Sequence, residues 1–191
     1  MSSESSAGAL ALSATLVRDV LNKRKPSGAT LESIVWQGIE LTDFDDFVEV
    51  VLGWPDTGDL RWYDHAVINA AVHRDSVAAC IRDPPLGATL GAVSDDAVRF
   101  LVDAGVKVVA YMPPRDVHLK QLASRDKSLG QPTEDDIDRV RSDYDRVRRM
   151  KGVVTAQSLE EAVKMASTGE FVYAPSGSGK THFVREAADA M

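Results

Sequence analysis

The stretch Phe171-Val172-Tyr173-Ala174-Pro175-Ser176-Gly177-Ser178-Gly179-Lys180-Thr181 decides how this 191-residue chain is read. Three strand-forming residues lead into a Gly/Ser turn. The turn hands over to Thr181 to Met191, a segment with Phe183, Val184 and Ala187 on one side of a short helix. In a strand, glycine loop and helix of this kind, backbone N–H groups can converge on a phosphate. Gly177 and Gly179 let consecutive amides turn inward, and the first turn of the helix adds free donors. Lys180 is then expected to reach the β- and γ-phosphates of a nucleotide, and Thr181 to offer a hydroxyl to magnesium. Ser176, Gly177, Ser178, Gly179, Lys180 and Thr181 are therefore the expected nucleotide-binding residues, with ATP and Mg2+ as cofactors. The one departure from the pattern is Ala174, which stands where the first glycine falls. Read without chemistry, the same string is a Gly/Ser-rich surface turn.

Upstream of this loop, strand and helix patterns alternate. Leu10 to Lys23 has a helical period, and residues 1–9 read as a flexible start. Ser33 to Leu41 reads as a strand running into the acidic turn Thr42-Asp43-Phe44-Asp45-Asp46, and Tyr63 to His73 as a helix. Ser76 to Ile81, short and apolar, reads as a strand buried on both faces that ends at Arg82-Asp83-Pro84-Pro85. Ser94 is a suitable N-cap for a helix over Asp95 to Ala104, with Gly105 as its stop and Val106 to Tyr111 as the next strand. Residues 113–150 form a lid-like helical region, interrupted around Gly130 to Pro132 and restarted at Thr133. Gly152 to Thr155 as a strand, Ser158 to Ser167 as a helix and Glu170 to Tyr173 as the last strand complete the series. Short apolar strands alternating with helices predict an α/β fold, a doubly wound parallel sheet in one domain spanning residues 1–191.

Composition narrows the function classes. A net charge of −7 disfavours attachment to nucleic acid over the whole surface. The basic residues from Arg139 to Lys151 mostly alternate with aspartates, as on a solvated helix. No apolar run approaches the roughly 20 residues of a membrane span, and the start lacks the basic region of a signal peptide. The single cysteine, Cys80, excludes an intramolecular disulfide. An intracellular, cytoplasmic setting without a membrane partner is expected. His65, His73, His118 and His182 are scattered without metal-ligand spacing, and Trp36, Trp54, Trp62 and Tyr63 are more readily core or loop packing than a base-stacking pocket.

The loop lies so near the C-terminus that the other parts of a nucleotide-using site must come earlier in the sequence. Either the chain is a fragment, or its order is permuted so that the phosphate-loop strand, usually first, is last. Starting at the loop and continuing from Met1, one meets the acidic turn TDFDDF, then IRDPP, then VKVVAYMPPRDVHLKQLASRDK and GQPTEDDIDRVRSDYDRV. From Val106 to Val147 this resembles the last core strand and lid of phage-type polynucleotide kinases and related nucleoside and nucleotide kinases, and Asp45-Asp46-Phe47 resembles their acidic turn. The resemblance implies a circularly permuted P-loop kinase that transfers the γ-phosphate of ATP to a hydroxyl of a polynucleotide, nucleoside or nucleotide. It implies Asp45 as the base orienting that hydroxyl, Asp43 and Asp46 as its neighbours or substitutes, and Arg125 as the lid arginine with Lys127 assisting. Gln121 stands where those kinases carry a second lid arginine, so Arg115 or Lys120 would have to replace it. Asp83, at a strand end, is the expected carboxylate for the magnesium hydration shell. Two plainer readings stay open: an aspartate of the turn serving only as an N-cap, and a nucleotide-binding or NTP-hydrolysing module of a larger, viral or cellular, assembly without kinase activity.

Overall fold

The computed structural model describes residues 31, 33–53, 62–123, 134–175 and 177–191, together with 15, 18, 19 and 22, which are helical; of 62–70 and 136 it describes the backbone alone. The helix expected over Leu10 to Lys23 lies mostly outside these residues, as do the lid interruption at Gly130 to Pro132 and the N-cap Thr133.

The single strand expected over Ser33 to Leu41 is a hairpin, β1 (Ile34–Trp36) and β2 (Ile39–Asp43), with Ile34 opposite Leu41 and Trp36 opposite Ile39. Its two-residue turn places Gln37 at φ 48° and Gly38 at φ 80°. Positive φ at both positions matches the right-handed twist of the paired strands, and Gly38 is what permits it. Asp43 ends β2 and caps a short helix, α1 (Phe44–Asp46), which widens into a π-helical turn over Phe47–Val51.

The next helix, α2 (Trp62–Arg82), absorbs Ser76 to Ile81, so that segment is not a strand. The physical reason is periodicity. Val72, Ser76, Val77 and Cys80 are the buried positions of the segment, a helical stripe that continues the pattern from upstream. The strand that stands in its stead is β3 (Ala88–Gly91), too small and glycine-containing to be read as one, yet buried at all four residues. Gly91 is required there because a Cβ would fall 2.7 Å from Cβ of Phe44 and 3.0 Å from the Phe171 ring. The remaining elements are α3 (Asp95–Asp103), β4 (Val108–Ala110), α4 (Arg115–Ala123), α5 (Glu134–Arg148), β5 (Val153–Thr155), α6 (Leu159–Met165), β6 (Phe171–Tyr173) and α7 (Lys180–Asp189). The expected N-cap Ser94 accepts from the amide of Ala97, and Gly105 stops that helix at φ 85°.

The six strands are ordered β1-β2-β3-β6-β4-β5, antiparallel at β1–β2 and parallel at every other pairing. The fold is thus α/β with a mixed, mostly parallel sheet. The strand latest in sequence is interior, held by Ala88–Gly91 on one side and Val108–Ala110 on the other. Alternation along β6 divides the core. Phe171 and Tyr173 pack with Phe44, Val77, Val98, Leu101 and Val147 from α1, α2, α3 and α5. Val172 and Ala174 face Val163, Ala166, Val184 and Ala187 from α6 and α7. Helices therefore cover both faces, as a parallel sheet requires. Among the described residues no helix is long and apolar enough to cross a membrane.

Candidate functional site

Because β2, β3, β6 and β4 run parallel, Asp43, Gly91, Tyr173 and Ala110 all end at one edge of the sheet. The crevice outside such an edge is where open α/β sheets bind ligands. The loop that leaves β6 there begins at Ala174, fully buried, whose amide donates to the Gly91 carbonyl at 3.0 Å. Gly177 and Gly179 have φ of 82° and 89°, the left-handed region that glycine enters freely. Gly179 is the N-cap of α7 and supplies no side-chain cap, so the first-turn amides of that helix are not taken by a capping side chain.

Helix α4 lies against the outside of the loop. A Cβ on Gly177 would sit 2.6 Å from Leu122 and 3.1 Å from His118, and one on Gly179 would sit 3.1 Å from Nε2 of Gln121. Ser178 is 2% exposed, and its hydroxyl has no hydrogen-bond partner among the described residues. A buried hydroxyl left so is costly unless a ligand completes it. Lys180, the first residue of α7, is 8% exposed. These features fit a nucleotide phosphate: positive-φ glycines, an uncapped helix start, a buried serine hydroxyl and a buried lysine.

The carboxylate that the fold brings to Lys180 is Asp43. Burial raises its pKa above the ordinary value, and the charges of Asp45 and Asp46 raise it further; the amide of Asp45 and the Lys180 ammonium pull the other way. Asp43 accepts that amide hydrogen bond at 2.9 Å, so it is the N-cap of α1, while Asp45 and Asp46 are exposed one turn on. Phe44 between them is fully buried and anchors the turn against Phe171, at a 5.6 Å ring separation. His73 meets the same phenyl ring edge-on at 6.0 Å, and burial lowers its pKa although Asp45 opposes this.

Asp83 is not with them. It follows α2 and precedes β3, which places it at the amino edge of the sheet, the far end from Lys180. Misreading Ser76 to Ile81 as a strand moved its end to the wrong edge. The acidic residue that does follow the buried strand is Asp95, whose carboxylate accepts from the Asp96 amide at 3.0 Å and from Arg146 at 3.4 Å. Arg115 starts α4 and pairs with Asp138 of α5 at 2.5 Å, both side chains being exposed. Arg125, Lys127 and Ser176 lie outside the described residues. Trp36 packs on Phe183 at 5.1 Å, away from any acceptor pocket built on aromatics. Trp54 lies outside the described residues, as do the side chains of Trp62 and Tyr63.

Sequence reasoning missed the contact of α4 with the loop. His118 is fully buried there, though it read as one of four scattered histidines. Its signal was the spacing of His118, Gln121 and Leu122, which puts all three on one helix face. No group of three or more metal-ligating side chains occurs among the described residues. Compared with protein-family models, curated proteins and solved structures, the chain matches none.

The raised pKa of Asp43 makes a signed prediction. Between its unfolded and folded values the native state binds more protons than the unfolded chain, so this residue costs stability as pH rises through that window. Asp43→Asn keeps a cap oxygen but cannot ionise. Its stability relative to the natural protein should increase from pH 4 to pH 7 in urea titrations. A relative stability that falls over that range would contradict the placement of Asp43.

Proposed function

We propose that this chain is an ATP- and magnesium-dependent kinase of P-loop type, with its order circularly permuted, which transfers the γ-phosphate to a hydroxyl of a polynucleotide, nucleoside or nucleotide. The observation that carries the proposal is the placement of Lys180 and Asp43 at one sheet edge, near enough for their charges to interact, with the buried Ser178 and the two positive-φ glycines between strand and helix. Phosphoryl transfer asks mainly for positioning and charge stabilisation. Lys180 and the loop amides hold the donor phosphates; Thr181 and Asp43 hold the hydrated magnesium. Asp45, exposed beside the cap, orients the acceptor hydroxyl and takes its proton as the bond to phosphorus forms. Gln121 lies beside Gly179 and offers a neutral amide to the phosphates. The proposal places the protein inside the cell, where ATP is available.

Support for the permutation comes from two features. The strand before the loop is interior though latest in sequence. The helix after it packs on the hairpin: Phe183 meets Trp36, and the Val35 amide donates to the Met191 sulfur at 3.4 Å. In the usual order that helix leads to the strand bearing the acidic turn, which is the relation α7 has to β1 and β2 in space.

Lys180→Ala should abolish transfer and weaken ATP binding in a folded protein. Asp45→Asn should retain ATP affinity while lowering turnover about 10²-fold or more, the size expected for a lost general base. Turnover measured with labelled ATP over 5′-hydroxyl oligonucleotides and nucleosides checks both. Normal turnover in the Lys180 variant would overturn the assignment of the loop, whereas ATP binding by the natural chain with no transfer to any acceptor would favour a binding module without transfer activity.

The permutation has its own check. A chain with Met191 linked to Met1 and new ends opened at Gly169 should fold and bind ATP as the natural chain does. A relinked chain that fails to fold would contradict the permuted order.

A further inference from the structure

A cavity of about 740 Å3 opens beside β2, between the hairpin, the π-helical turn and the segment before β3. Its volume is that of a small-molecule site. Ile34, Phe47, Val50, Pro84 and Pro85 give it apolar walls, and four acidic residues are among those lining it, Glu40, Asp43, Asp46 and Asp83. Among the described residues lining it there is no lysine, arginine or histidine. The carboxylates fall at two ends. Asp43 and Asp46 sit at the carboxyl edge, where Asp43 meets the field of Lys180. Glu40 and Asp83 sit toward the amino edge, where the Glu40 backbone touches Gly87 just after the prolines. Glu40 and Asp43 are three positions apart along the strand, a span of about 10 Å.

Resting on the kinase reading, we propose that this cavity is the acceptor site and that it selects an elongated alcohol bearing a protonated amine. The hydroxyl lies at the acidic turn that ends β2, within reach of Asp45, the ring body of the ligand lies along the walls, and the amine lies between Glu40 and Asp83. The charge of the cavity is the argument. An acceptor that already carries phosphate brings negative charge to a pocket bordered by four carboxylates, whereas an ammonium makes charge-assisted hydrogen bonds with them. The apolar walls pack against the body of the ligand, and the two acidic ends fix which hydroxyl faces the loop. The same geometry gives Asp83 a use at the edge where magnesium is not expected.

The test uses tobramycin, its fully N-acetylated derivative and a 5′-hydroxyl oligonucleotide, each with the full chain. Binding is read by calorimetry with a non-hydrolysable ATP analogue present, and transfer by labelled ATP. Tobramycin should bind the analogue-loaded protein and be phosphorylated with kcat/KM at least about tenfold above both other compounds, the effect of one charge-assisted contact. Glu40→Gln combined with Asp83→Asn should raise KM for tobramycin about tenfold and leave ATP affinity unchanged. Equal or better use of the acetylated compound or the oligonucleotide would overturn the proposal while leaving the kinase reading in place, as would no tobramycin binding to protein that holds the analogue. Failure to bind the analogue at all would overturn the kinase reading and this proposal with it.

Discussion

A lysine buried at the first turn of a helix is the constraint around which the rest is arranged. The helix amino terminus carries partial positive charge, so an ammonium placed there is disfavoured unless anionic groups offset it. Lys180 is 8% exposed in that position. One offsetting group is built in: Asp43, brought to the same edge because β2, β3 and β6 run parallel in register. Burial, and then the crowding charges of Asp45 and Asp46, raise the pKa of Asp43 itself. On the proposed reading, a bound phosphate with its cation adds opposite charge to both groups.

Holding that pair in place requires the interior position of β6. Its two faces are filled by different sets of helices, with Phe171 and Tyr173 on one side and Val172 and Ala174 on the other. The loop therefore leaves a strand fixed by hydrogen bonds on both edges, and the Ala174 amide extends the pairing to Gly91 by one more bond. Phe44 ties the acidic turn into this frame by packing between Gly91 and Phe171. Helix α4 closes the outer side, and its contact with Gly177 and Gly179 means that a shift of this helix would be felt at the loop.

Much of this was legible in the sequence, for identifiable reasons. The strand–loop–helix around Lys180 was readable because glycines at fixed offsets have few other uses. Ser94 and Ser158 announced helices as N-caps, and both make the expected bonds to Ala97 and Glu161. The fault lay where local cues were ambiguous. Ser76 to Ile81 is short and apolar, a pattern shared by a buried strand and the end of a buried helix, and only the stripe through Val72 distinguishes them. Ala88–Gly91 gave no strand signal because it is short and bounded by Ala88 and Gly91, weak strand formers, and Gly91 is kept without a side chain by Phe44 lying against it. That one exchange displaced Asp83 and hid Asp95. The contact of His118 with the loop depends on residues far apart in sequence, and the local spacing shows only that His118, Gln121 and Leu122 share a helix face.

The most direct test of the central claim is a titration of isotope-labelled protein with magnesium and a non-hydrolysable ATP analogue, followed by amide NMR. The account predicts saturable shifts largest at Gly177, Ser178, Gly179, Lys180 and Thr181, with Asp43 and Asp45 responding at the same ligand concentration. Saturable binding that moves other residues and leaves these amides unchanged would contradict it.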